Sequence, residues 1–75
     1  MNERSETERV QIKLNGSERD VPEHTTVAML LEHLNLRAQP VAVEVNRELV
    51  PRPRHEQHVL AVNDAVEIVT LVGGG

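Results

Sequence analysis

Few side chains in this sequence are spaced for chemistry of their own. His55 and His58 have a spacing that could bind a metal ion, but no clear third ligand accompanies them, so we interpret both as solvated and predict no metal site. Glu23, Glu32 and Glu56 are scattered, and their spacing does not pair two carboxylates for acid-base catalysis. The sequence therefore predicts no catalytic side chain.

The remaining chemical feature is the glycine run that follows "VTLV". Three of the four glycines of the chain are Gly73, Gly74 and Gly75. Glycine has no side chain to obstruct a narrow slot, and three extended residues reach about 10 Å at ~3.3–3.6 Å each. Gly75 is expected to present a free α-carboxylate. We interpret the run as a reactive tail, with Gly73 and Gly74 threading into a partner; an end without any function is the alternative.

Composition narrows the class of protein. The 75 residues suffice for one small domain, and the absence of cysteine argues against a disulfide-framed secreted domain and against thiol chemistry. No apolar run approaches the ~18 residues of a membrane span, and no signal peptide is recognisable. A formal net charge of -4 and the absence of aromatic residues argue against nucleic acid as a partner. We therefore expect a cytoplasmic domain with no nucleic acid or membrane partner.

The elements that must position the tail follow from the apolar periodicity. Alternating apolar and polar residues predict a first strand over 10–14, followed by an Asn-Gly turn signal and a return strand over 19–21. Side-chain parity favours a four-residue loop, 15–18, because this loop sets Ile12 opposite Val21. The chain is therefore expected to open with a β-hairpin.

One helix and three further strands are predicted after the hairpin. Apolar residues at i, i+3, i+4 and i+7 in "TVAMLLEHLNL" indicate a helix of about ten residues, with its leucines and Met29 in the core and Asn35 as its left-handed stop. Alternation over 41–45 predicts a second long strand, followed by a very short strand at 49–50. The nearly continuous apolar run over 65–72 is typical of a strand in the middle of a sheet.

Together these elements predict an α+β domain of the β-grasp (ubiquitin-like) type, a mixed four- to five-stranded sheet packed on one main helix. The first and last strands are expected side by side in the centre of the sheet, so the tail would leave from the most rigid strand. We expect a flexible arm over residues 1–9, the β-grasp domain over 10–72 and a flexible glycine tail over 73–75.

Side-chain parity on the last strand predicts where a partner docks. Glu67 is the residue least suited to face the helix, so Val69 and Leu71 are expected on the opposite face of the sheet. Two exposed apolar residues beside a reactive terminus indicate an interaction patch. We therefore predict that Val69 and Leu71 dock a partner.

The span from Val10 to Gly75 resembles the ThiS family, the sulfur-carrier proteins of thiamin biosynthesis, which are ubiquitin-like β-grasp proteins ending in Gly-Gly. The matching stretches are "IKLNG", "TTVAMLLEHL", "VAVEVNRELVPR" and "VEIVTLVGGG". The resemblance implies that an E1-like adenylating enzyme uses ATP to activate the Gly75 carboxylate. A persulfide sulfur donor then converts it to a thiocarboxylate, which supplies thiazole synthase. It also implies that the chain is a carrier, not an enzyme, and binds no cofactor itself.

Two other functions remain open from the sequence. The small subunit of molybdopterin synthase uses the same fold and tail to deliver sulfur elsewhere, and a ubiquitin-like modifier would be attached through Gly75 to lysines of other proteins. The thiamin carrier ranks first because "VEVNRELVPR" and the Val-rich ending look more like that family.

Overall fold

The computed structural model describes residues 8–71, and the predicted tail residues 73–75 and most of the predicted arm 1–9 lie outside that range. In chain order the elements are β1 (Arg9–Leu14), β2 (Ser17–Pro22), helix α1 (Val27–His33), β3 (Val41–Val45), β4 (Glu48–Leu49), a 3₁₀ helix (Arg52–Arg54) and β5 (Ala65–Thr70). The strands form one five-stranded sheet in the order β2-β1-β5-β3-β4. β5 runs parallel to β1 and antiparallel to β3. The predicted mixed β-grasp sheet, with the first and last strands adjacent, is confirmed.

The β1–β2 hairpin differs from the prediction in its loop. Asn15 and Gly16 form a two-residue turn, and both have positive φ, 50° and 87°. This is the type I′ geometry, which matches the twist of the flanking strands. Ile12 therefore pairs with Arg19, not with Val21, and β2 begins earlier than predicted. The prediction of a four-residue loop was wrong. The predicted apolar face of the hairpin is nevertheless correct, because the predicted and observed loops differ in length by two residues, which leaves each side chain on the same face.

Helix α1 is shorter than the predicted ten residues, with seven residues over Val27–His33. It begins after Thr26, whose hydroxyl accepts a hydrogen bond from the N–H of Met29 at 3.1 Å and caps the first turn. Asn35 follows the helix with φ of 61°, so its prediction as the left-handed stop is confirmed. No helix among residues 8–71 combines the length and apolarity that a membrane crossing requires.

The core lies between α1 and one face of the sheet. Its buried apolar residues are Ile12, Val21, Val27, Leu30, Leu31, Val43, Val45, Val50, Leu60, Val66 and Ile68. Met29 was predicted to belong to this set, but it is 44% exposed. The prediction was wrong because Met29 lies two positions after Val27, which places it on the far side of a helix with 3.6 residues per turn.

The second half of the sheet forms around another tight turn. Asn46 and Arg47 join β3 to β4 with φ of 54° and 70°. β4 covers Glu48–Leu49, one residue earlier than predicted, and Val50 then enters the core. The 3₁₀ helix and its flanking turns provide an irregular connection towards β5.

Candidate functional site

The strand that leads to the glycine run, β5, is held firmly along its β3 side. Strand β3 pairs with β5 along its whole length, from Val45↔Val66 to Val41↔Thr70. One residue further on, the N–H of Leu71 donates to the carbonyl of Pro40 at 2.8 Å. The pairing with this side of the sheet therefore continues to the last residue that the structure describes. Gly73, Gly74 and Gly75 themselves lie outside the described residues.

The β1 side of β5 is supported in a different way. The pairing between these parallel strands ends at Leu14↔Val66, where β1 enters its turn. The side chain of Asn15 then takes over: its Oδ1 accepts from the N–H of Ile68 at 2.9 Å, and its Nδ2 donates to the carbonyl of Ile68 at 3.3 Å. The Asn15 amide thus replaces one further residue of β1. The sequence around Asn15 indicates only the turn, because nothing local to this residue shows that β5 lies beside it.

The outer face of β5, opposite α1, carries the predicted docking residues. Val66 and Ile68 are buried on the helix side of the sheet, whereas Val69 and Leu71 are 57% and 51% exposed. This agrees with the prediction that Val69 and Leu71 share the outer face with Glu67. Ala42 of β3 is the Cα partner of Val69. We call Ala42, Val69 and Leu71 the tail patch. They form a small apolar surface at the end of the described chain, and Leu71 stands two positions before the glycine run in the sequence.

Acidic side chains border the tail patch. Glu44 and Glu67 are Cα partners one pleat below Ala42 and Val69, on the same face, and both are exposed. Among residues 8–71 neither of them takes part in an ion pair. On the other half of this face, Lys13 stands opposite Glu18, so charges of both signs are present there. The tail patch is therefore an apolar surface with a negatively charged margin.

The histidines do not form a chemical site in the described part of the chain. His55 is only 6% exposed, and its Nε2 lies 2.9 Å from the carbonyl oxygen of Val50. The expectation that His55 is solvated was wrong, and its role is structural. His58 is half-buried. Among residues 8–71, no group of three or more His, Cys, Asp or Glu side chains is arranged to hold a metal ion.

Comparison with known proteins places this geometry in context. A model of the ThiS family matches residues 7–75. The sulfur carrier protein ThiS of Escherichia coli (strain K12) is 30% identical over 66 residues, which cover 88% of this chain and 100% of that protein. The crystal structure of a thiamine biosynthesis protein (ThiS) from Geobacter metallireducens is similar in fold, with a TM-score of 0.76 and 32% identity, covering 88% of this chain and 100% of that one.

A second kind of relative is much longer than this chain. A thiazole synthase of Paramagnetospirillum magneticum (strain ATCC 700264 / AMB-1) is 38% identical over 66 residues, which cover 88% of this chain but only 20% of that protein. The chain therefore spans about a fifth of the length of this relative.

Proposed function

The chain belongs to the ThiS family of sulfur carrier proteins, and on this premise we propose that it carries sulfur as a thiocarboxylate on Gly75 for thiazole formation in thiamin biosynthesis. The observation that carries the proposal is the extent of the match, which includes the whole domain and the glycine run, residues 7–75. The geometry supports it, because the pairing on the β3 side continues to Leu71, two positions before the glycine run in the sequence.

The proposed chemistry is done to Gly75 by partner enzymes. A carboxylate is a poor acyl donor, so an E1-like adenylating enzyme first joins it to AMP from ATP and releases pyrophosphate. The terminal sulfur of a persulfide then attacks the acyl carbon, and AMP leaves. A thiol cleaves the S–S bond of the resulting acyl disulfide and releases the thiocarboxylate. ATP is bound by the adenylating partner, and the carrier supplies no acid, base, nucleophile or cofactor of its own.

The contribution of this chain is positional. β5 is an anchor of fixed direction, and three glycines beyond it reach about 10 Å into a partner. Gly73 and Gly74 are proposed to pass a slot too narrow for side chains, because glycine adds no atoms beyond the backbone. The exposed side chains of Val69 and Leu71 are proposed to bind the adenylating enzyme and the synthase at the mouth of that slot.

Thiazole synthase is proposed as the recipient of the sulfur. The relative from Paramagnetospirillum magneticum supports this, because a segment similar to this chain forms a fifth of a protein named thiazole synthase. We place the reaction in the cytoplasm, with no nucleic acid or membrane partner.

Intact-mass measurement of the full chain purified from its own cells tests the proposal. If the chain is a carrier, its mass increases by the difference between sulfur and oxygen. A variant lacking Gly75 should show no such increase. It should also fail to support ATP–pyrophosphate exchange by the adenylating enzyme. Isopeptide-linked adducts on lysines of other proteins would instead identify a modifier. A thiocarboxylate that supplies molybdopterin synthase but not thiazole synthase would leave the carrier function intact and overturn the thiamin pathway.

A further inference from the structure

Among residues 8–71, the edge of β5 that faces β1 is open at the end of the strand. In a strand, the N–H and C=O groups of alternate residues point to the same edge. On this edge the carbonyl of Val66 accepts from the N–H of Asn15 at 2.8 Å, and both backbone groups of Ile68 bond the Asn15 side chain. Thr70 is next on the same edge. Within residues 8–71 its strand partner is Val41 of β3, on the opposite side, and β1 offers it none.

An apolar groove runs beside this open edge on the helix side of the sheet. Its volume is about 310 Å³, and it is lined by Leu14, Asn15, Leu34, Leu36, Ile68 and Thr70. The three leucines pack on the edge of the core but remain only half-buried, and Thr70 is exposed. One branched apolar side chain entering the groove would remove apolar surface of these leucines from water, which favours binding.

Resting on the function proposed above, we propose that an extended segment of thiazole synthase adds to β5 as a short extra strand. Its backbone pairs with the N–H and C=O of Thr70, and an apolar side chain of the same segment enters the groove. Strand addition obtains affinity from main-chain hydrogen bonds and specificity from pockets for alternate side chains, and both features are present here.

The position of the edge argues for this occupant. Thr70 is the last residue of β5, so a strand paired with it holds the chain extended just before the glycine run. If the residues before the glycine run are already held extended, the tail loses less conformational entropy when it enters the partner. In the relative named thiazole synthase, a segment similar to this chain forms a fifth of the same polypeptide.

Amide hydrogen exchange, followed by NMR on the full ¹⁵N-labelled chain with and without thiazole synthase, tests the pairing. Thr70 is expected to exchange rapidly in the free protein and to be protected in the complex. Leu71 serves as the internal control, because its N–H already bonds Pro40 and is protected in both states. A complex in which Thr70 still exchanges rapidly would overturn the strand addition and leave the carrier function standing.

Two other outcomes would also overturn the inference. Concentration-dependent protection of Thr70 without the synthase would assign the edge to a second copy of this chain. Absence of any complex with thiazole synthase would refute the proposed partner itself, which separates that failure from a failure of the pairing.

A pair of substitutions at Thr70 isolates the backbone donor. Thr70→Pro removes the N–H that points to the open edge but no hydrogen bond to β3, because the N–H and C=O of Thr70 both point away from β3. Thr70→Val keeps the N–H and a similar shape. We expect the Pro variant to bind the synthase about five- to tenfold more weakly than the Val variant, the loss of roughly one hydrogen bond. Equal affinities for the two variants would overturn the pairing; continued protection of Leu71 shows that both are folded.

Discussion

The imidazole Nε2 of His55 lies 2.9 Å from the carbonyl oxygen of Val50, and this contact is buried. A carbonyl oxygen only accepts, so Nε2 carries the proton. The carbonyl of His55 in turn accepts from the N–H of Ala28 in α1 at 2.9 Å. His55 therefore joins three separate parts of the chain: the residue after β4, the turn after the 3₁₀ helix and the first turn of α1.

Replacing His55 by Ala is expected to destabilise the fold by about 2–4 kcal/mol. The change leaves a buried carbonyl of Val50 without its donor and opens a cavity where the ring was. The free energy of unfolding in urea measures this, followed by far-UV circular dichroism because the chain has no aromatic residue. His33→Ala is the matched control, since His33 is exposed and its removal should change stability by less than about 0.5 kcal/mol. Equal midpoints for the two variants would contradict the structural role of His55.

His55 also illustrates what could be predicted from sequence and what could not. Periodicity places a residue on a face of its own element, and this was enough for the strands, for Asn35 and for the exposure of Val69 and Leu71. It contains no information on contacts between distant elements. His55 stands in the charged stretch "RHEQH", and only the approach of Val50 and α1 makes it a core residue.

In the candidate site, too, one feature could be predicted from the sequence and another could not. Glu67 was sufficient to predict the parity of β5, and hence the tail patch, because one charged residue in an apolar run identifies the solvent face. The Asn15 contact could not be predicted, because β1 and β5 are far apart in sequence and their register is set by packing. The Asn-Gly pair correctly predicted the turn, but it did not indicate that the side chain of Asn15 also bonds Ile68.

That second role of Asn15 can be measured with two substitutions. Asn15→Gly removes both side-chain hydrogen bonds to Ile68 but still allows φ of 50°. It is expected to cost about 1–2 kcal/mol. Asn15→Ala loses the same bonds and also places alanine in the left-handed region, which alanine tolerates less well than asparagine or glycine; this adds about 1 kcal/mol. Urea unfolding checks the order; stability equal to the parent in the Gly variant would show that the contacts to Ile68 contribute nothing.

At the start of β1, Glu8 gives a pH-dependent prediction. A side-chain hydrogen bond with Glu23 raises the pKa of the Glu8 carboxyl above 4.5, and the charge of Glu23 acts in the same direction. An acid with a raised pKa binds its proton more tightly in the folded state, so its stabilising contribution is present below the unfolded pKa and is lost as pH rises through the folded pKa.

Glu8→Gln should therefore improve stability relative to the parent as pH rises from about 4 to 7, by a small amount because the group is exposed. The difference in Tm between variant and parent, followed by circular dichroism across this range, measures the effect. Glu18→Gln, at another exposed carboxylate in the adjacent strand, is the control. A difference for Glu8→Gln that does not vary with pH would contradict the coupling with Glu23.

Gly74→Ala is expected to slow adenylation by about ten- to a hundredfold, because a Cβ widens the tail and restricts its backbone inside the partner. The Tm should stay at the parent value, since the core is formed by residues within 8–71. ATP–pyrophosphate exchange with the adenylating enzyme measures the rate.

Gly16→Ala provides the opposite control for Gly74→Ala. Gly16 has φ of 87° and open space around it, so Ala there should lower stability by about 1–2 kcal/mol through backbone strain alone and leave the exchange rate unchanged. If Gly74→Ala were as active as the parent, the glycines would serve some purpose other than passage through a slot.

Leu71→Glu is expected to weaken binding to the adenylating enzyme or to thiazole synthase by about tenfold or more, because it places a charge in the tail patch while the domain stays folded. Affinity measured by calorimetry with each partner checks this. Val62→Glu is the matched control: Val62 is 59% exposed but lies before β5, away from the tail patch, so the same added charge should have little effect there. Equal weakening by both variants would indicate a general effect of negative charge. Unchanged binding by Leu71→Glu would move the docking surface elsewhere.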